Sequence, residues 1–109
     1  MISLATIQQC TARRFDIPMR EMVSARRHRS VARPRQVAMY LSRELTPRSL
    51  PEIGRRFGGR DHTTVIHAIE RIEALRADDA ALDRAIRLAT LDILAPQHEL
   101  PPTDEGDGR

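Results

Sequence analysis

"GGRDHTTVIHAIERI", residues 58–72, decides how the chain folds. Two glycines and Arg60 come first, followed by four polar residues in a row: Asp61, His62, Thr63 and Thr64. The apolar rhythm begins only at Val65 and returns at Ala68, Ile69, Ile72 and Leu75. Steps of three and four residues place these side chains on one face. They predict an amphipathic helix from just after Asp61 to about Ala77. One capping side chain is enough to start a helix. The four polar residues therefore read in three ways: as a generous cap, as the ligands of a metal, or as a surface that reads DNA.

The upstream neighbours narrow the choice. In "SLPEIGRRF", residues 49–57, Ser49 and Glu52 have the spacing of a capping box, and Pro51 sits inside the first turn. This predicts a short helix from Leu50 to Phe57, with Ile53 and Phe57 facing inward. Gly58 and Gly59 end it in a tight turn. A short helix, a glycine turn and a longer amphipathic helix make a helix-turn-helix pattern.

The rest of the chain is helical by the same signals. Residues 3–15 predict a helix capped by Ser3, with Leu4, Ile7 and Thr11 recurring on one side. Residues 16–24 predict a short second helix with Pro18 in its first turn and Met19, Met22 and Val23 inward. Ser30 is the expected cap of a helix from about Val31 to Leu45, with Pro34 in the first turn and Val37, Ala38, Leu41 and Leu45 buried. A last helix is expected from about Asp79 to Leu94, burying Leu82, Ala85, Ile86, Ala89 and Ile93, and stopped by Pro96. The expectation is an all-α, single compact domain of about six helices over residues 1–95. A polar tail, residues 96–109, is expected to be disordered.

Composition agrees with this reading. A chain of 109 residues holds one small domain. Phe15, Tyr40 and Phe57 are the only aromatics, so the core must be aliphatic, which suits packed helices better than a β-sandwich. Cys10 is the only cysteine, so no disulfide can form within the chain. With no membrane-length apolar run and no signal-peptide pattern, the expected setting is the cytoplasm, on the nucleoid, with no membrane partner.

Net charge is only +3, yet it is unevenly placed. Residues 1–60 hold 13 Arg against 4 acidic residues, and residues 61–109 hold 5 Arg against 11. A basic half points to a polyanion partner. All 18 basic residues are Arg, whose planar fork makes bidentate contacts to phosphate and guanine. Five of them, Arg26, Arg27, Arg29, Arg33 and Arg35, crowd residues 24–36 with no acidic residue among them. Five like charges repel one another unless a polyanion relieves them.

In a helix-turn-helix the first residues of the second helix enter the major groove. Asp61 can accept from a base amino group, and His62 can donate or accept. Thr63 and Thr64 offer a hydroxyl and a methyl. By pattern alone the bland reading is stronger: Asp61 caps and the others are solvated. The basic loop shifts the balance toward DNA, because a flexible basic loop can reach the adjacent minor groove. A metal reading fails on spacing: His62 and His67 fall on different helix faces and lack further ligands. Cys10 reads as a packed thiol. No catalytic set can be assembled, and "GRRFGGRD" lacks the ending of a phosphate-binding loop, so no enzyme, cofactor or metal is expected.

"SLPEIGRRFGGRDHTTVIHAIERIEAL", residues 49–75, together with "ARRHRSVARPRQVAMYLSRELT", residues 25–46, resembles the C-terminal DNA-binding domain of DnaA, the bacterial chromosomal replication initiator. The resemblance covers about residues 3–94 and implies an all-helical domain that binds an asymmetric double-stranded box of the TTATNCACA type. It implies that Arg27 enters the minor groove, that Asp61, His62 and Thr63 read bases in the major groove, and that Leu50 and Pro51 touch thymine methyls. It also implies that Arg26, Arg29, Arg35, Gln36, Arg43, Arg60 and Thr64 lie at or near phosphates. An asymmetric box makes a monomer the expectation.

A full initiator carries an ATP-binding module and a partner-binding domain upstream, and neither is in this sequence. Either the chain is an excised domain or it is a stand-alone box binder, and the Met1 start and unusual tail favour the second. Such a protein would compete at origin boxes or regulate transcription near them. A protein-interaction module is the competing class, working through the acidic residues 70–92 and the tail, with the full-length initiator as a partner. A nucleic-acid enzyme is more remote, since it would need metal-holding carboxylates in the basic half.

Overall fold

Ser3 caps the first helix as its sequence predicts: its hydroxyl accepts the Thr6 N–H at 3.0 Å. The structure is a computed structural model that describes residues 2–95. The expected tail, residues 96–109, lies outside the described residues. Helix α1, Leu4–Arg14, buries Leu4, Ile7, Cys10, Thr11 and Ala12. Burial pushes the Cys10 thiol up from its ordinary value, as befits a packed group.

The expected second helix does not form. Asp16 takes the left-handed conformation (φ 56°), where Asp is better tolerated than most residues. From there Asp16 N–H reaches the Arg13 carbonyl at 3.2 Å, and Ile17 N–H reaches the Ala12 carbonyl at 2.9 Å. These paired bonds close α1 as a Schellman motif. Pro18 then holds an extended backbone. Only a 3-10 turn, Met19–Glu21, remains of the predicted helix. Met22 is fully buried and Met19 packs against the core, but Val23 is exposed. Among the described residues the count is therefore five α-helices and this turn.

Helix α2, Arg29–Leu45, starts two residues earlier than its apolar pattern suggests. His28 takes the capping position without a side-chain hydrogen bond, so Ser30 is not the cap. Pro34 is thereby the sixth helical residue rather than part of the first turn. It has no N–H to give the Ser30 carbonyl. The predicted stripe holds, with Val37, Ala38 and Leu41 buried, and Met39, Tyr40 and Ser42 join them. A helix buried over so wide an arc is central, and α2 packs against α1 and the next two helices.

Helix α3, Leu50–Arg56, begins at Ser49, whose Oγ accepts the Glu52 N–H at 3.2 Å. Only this half of the capping box is made, because the Glu52 carboxylate turns to Arg48 at 2.8 Å. Phe57 is buried, and Gly58 and Gly59 take left-handed backbones, φ 83° and 73°. Arg60 N–H then returns to the Gly54 carbonyl at 2.9 Å. A Cβ on Gly54 would lie 2.0 Å from the Arg60 carbonyl oxygen, so the approach requires glycine.

Helix α4, His62–Asp78, opens on Asp61, whose Oδ1 accepts the Thr64 N–H at 2.9 Å. That backbone N–H, helped by the Thr64 hydroxyl, His62 and Thr63, holds the Asp61 carboxyl below the ordinary aspartate value. Val65, Ala68 and Ile72 are buried, with Ile69 and Leu75 packed beside them. Asp79 is shared between two helices. Its N–H closes α4 on the Leu75 carbonyl at 2.8 Å, and its carboxylate accepts the Leu82 N–H at 2.9 Å. Helix α5, Ala80–Leu94, follows and packs on α1 and α4 through Ile86, Ala89 and Ile93. The Arg76–Asp83 pair at 2.6 Å and the Arg14–Asp92 pair at 2.7 Å tie α5 to those neighbours.

Two outcomes follow for stability. Alanine normally improves a helix by about 1 kcal/mol over glycine. Gly54→Ala should instead destabilise by about 1–3 kcal/mol, because the α3–α4 turn must shift. A urea midpoint at or above that of the parent would contradict the close packing. At Asp61 the cap's contribution is complete above the ordinary aspartate pKa and is lost as pH falls through the lowered folded value. Asp61→Ala should lower the melting temperature at neutral pH, with the deficit shrinking in acid. Asp61→Asn should retain most of the cap across the same titration.

Candidate nucleic-acid interface

Three segments meet around one open cleft of about 780 Å³. The loop at residues 25–28 and the start of α2 form one wall. The glycine turn and the first turns of α4 form the other. Arg27, Arg29, Arg35, Arg60 and Arg71 line it, and Asp61 is the only acidic residue that does. A concave surface with five guanidinium groups and one carboxylate concentrates anions.

Of the expected base-reading residues, Arg27 and Asp61 line the cleft, whereas His62, Thr63, Leu50 and Pro51 do not. Asp61, His62, Thr63 and Thr64 are all exposed at the start of α4. Asp61 caps α4 through Oδ1, which takes the Thr64 N–H, while the residue itself stays exposed. Pro51 is exposed and Leu50 half-buried at the start of α3, so both helix starts present side chains outward. Arg27 is exposed in the loop, and among the described residues no hydrogen bond or ion pair holds its guanidinium.

The expected phosphate set divides in two. Arg26, Arg29 and Arg43 are exposed, and Thr64 lines the cleft. Gln36 is half-buried in the cleft wall, with its Oε1 taking a 2.6 Å hydrogen bond from Arg33. Arg35 and Arg60 point their hydrogen bonds into the protein. Arg35 is 3% exposed and donates Nε–H to the Glu21 carbonyl at 2.8 Å, while its Nη2 is buried without a partner. Arg60 donates Nη1 to the Ser24 carbonyl at 2.8 Å and to the Phe57 carbonyl, and Nη2 to the Arg26 carbonyl at 3.1 Å. Burial lowers the pKa of both guanidinium groups, and at Arg60 the charges of Arg35 and Arg27 add to that effect.

Sequence reasoning singled out neither His67 nor Arg71 for DNA, and both line the cleft, as does His28 of the loop. His67 and Arg71 follow Thr64 by three and seven positions and so share its face of α4. The sequence considered His67 only as a metal ligand. Among the described residues, no group of three or more His, Cys, Asp and Glu side chains could hold a metal ion.

A family model described as "Bacterial dnaA protein helix-turn-helix" matches residues 4–72, from α1 into α4. The chain is 56% identical over 89 residues to the chromosomal replication initiator protein DnaA of Caulobacter vibrioides, covering 82% of this chain and 18% of that protein. It is 59% identical over 85 residues to the protein of the same name from Sphingopyxis alaskensis, covering 78% of this chain and 19% of the other. The chain therefore spans less than a fifth of the length of either relative. The match extends through α1, both halves of the helix-turn-helix and the turn between them, and on this evidence the chain belongs to the bacterial DnaA helix-turn-helix family.

Proposed function

We propose that this domain binds double-stranded DNA at DnaA-box-like sites, as a monomer and without ATPase activity, in the context of chromosomal replication initiation. The observation that carries the proposal is the adjacency of an exposed polar helix start, residues 61–64, to an arginine-lined cleft. The relatives, named as chromosomal replication initiators, supply the context. The place of action is then the nucleoid.

In this reading the start of α4 enters the major groove. The Asp61 carboxylate accepts from a cytosine or adenine amino group, and His62 and Thr63 meet neighbouring base edges. Leu50 and Pro51 pack on thymine methyls from the start of α3. Arg27, unheld by the protein, reaches the minor groove, whose narrow A/T-rich form attracts guanidinium. Arg26, Arg29, Gln36, Arg43 and Thr64 meet phosphates, with the free N–H groups at the start of α4 beside them. Arg35, turned inward, contributes its charge from the cleft floor rather than a direct contact. Arg60 stands with it at the centre of the positive field.

Selection from random duplex DNA with the purified chain should enrich a DnaA-box motif, and an unenriched pool would end the proposal. Box binding is expected to be on the order of nanomolar and to weaken steeply with salt. Arg27→Ala should cost about 1–3 kcal/mol and relax preference at the A/T end of the box. Fluorescence anisotropy on box and shuffled duplexes separates reading from attraction. His62→Ala and Thr63→Ala should weaken box binding more than shuffled-duplex binding, and equal losses on both would refute base reading by those residues.

A further inference from the structure

Arg60 joins segments that are distant in sequence. Its backbone N–H is fixed to Gly54 in α3 at 2.9 Å. Its side chain donates to the carbonyls of Ser24 and Arg26, 36 and 34 residues upstream, and to that of Phe57 in its own turn. The loop carrying Arg27 is thus tied to the turn that launches α4 through one guanidinium. The loop's own hydrogen bond from Arg26 N–H to Ser24 Oγ at 3.0 Å is local and ties it to nothing distant.

Gly58 carries the same assignment independently. A Cβ there would lie 2.5 Å from the Ser24 carbonyl oxygen and 2.5 Å from Arg60 Nη1. The glycine leaves room for that hydrogen bond as well as permitting φ 83°. Gly59 has a similar φ of 73°, yet a Cβ there would meet nothing within 4 Å. Backbone strain and space for the clasp are therefore separable at adjacent positions.

We infer that Arg60 is a positioning residue, a clasp that sets the distance and angle between Arg27 and the start of α4. The inference deepens the proposed DNA reading and rests on it: two readers that enter different grooves must be held at the spacing of those grooves. Only a planar fork with donors on two nitrogens makes these contacts to three carbonyls, and a lysine ammonium does not reproduce that fixed geometry. Fixing the loop before DNA arrives removes an ordering cost from the bound state. A residue that merely touched phosphate would need its charge but not its fork.

The test is a double-mutant cycle on box and shuffled duplexes, using Arg27→Ala with Arg60→Lys. Helix content and melting temperature are followed in parallel, and Gly58→Ala and Gly59→Ala are carried alongside. With the clasp intact, Arg27→Ala should weaken box binding roughly tenfold or more. In the Arg60→Lys background the same change should cost less than about twofold, because Arg27 is no longer held at the groove. Gly58→Ala should reproduce that uncoupling and Gly59→Ala should not. Hydrogen exchange at the Arg26 and Arg27 amides should accelerate in Arg60→Lys while the amides of α2 and α4 keep their protection.

Box binding unchanged in Arg60→Lys, or equal Arg27→Ala losses in both backgrounds, would overturn the clasp and leave DNA reading standing. No preference for the box in the parent chain would overturn the reading, and the clasp's role with it.

Discussion

Between α3 and the turn before α4 the two backbones come so close that a single methyl group would not fit. The Gly54 carbonyl accepts the Arg60 N–H while the Arg60 carbonyl presses on the Gly54 Cα. Phe57, buried between them, and two left-handed glycines complete the reversal. This closeness sets the angle at which α4 leaves the turn. It also determines where residues 61–64 stand relative to α2 and to the arginine loop. The core beneath, Val37, Ile53, Phe57, Val65 and Ile72, only has to be apolar and well filled. Cores of this kind tolerate exchange of volume among neighbours, but a backbone contact at van der Waals distance does not.

Much of this was legible along the chain because the signals are local. Ser3, Ser49 and Asp61 cap the helices their positions suggest, and the stripe from Val65 to Leu75 faces inward. The failures came where a nearby backbone or a distant group overrode a local rule. Residues 16–24 look helical, but Asp16 adopts the left-handed form that ends α1, and Pro18 keeps the chain extended. Ser30 looks like a cap, but the helix has already begun at Arg29. Glu52 has the spacing to complete a capping box, yet Arg48 claims it.

The candidate site divides along the same line. The polar start of α4 and the exposed loop arginines are properties of single segments, so composition and spacing revealed them. His67 and Arg71 were within reach of the same helical arithmetic. The inward orientation of Arg35 and Arg60 was not, since it depends on carbonyls of Glu21, Ser24 and Arg26 brought near by the fold. A list of arginines looks uniform in sequence. In three dimensions some are free to meet a ligand, and others hold the frame in which the free ones stand.

The exclusive use of arginine has a chemical consequence for the cleft. Its cations are all guanidinium groups, and the whole chain has no lysine. Enzymes that acetylate lysine side chains find no substrate there, so the positive field has no acetylation switch. Moderately alkaline solution, which strips charge from ammonium groups, also leaves it in place. A competing polyanion or added salt, by contrast, acts on guanidinium as on any other cation and displaces what occupies the cleft.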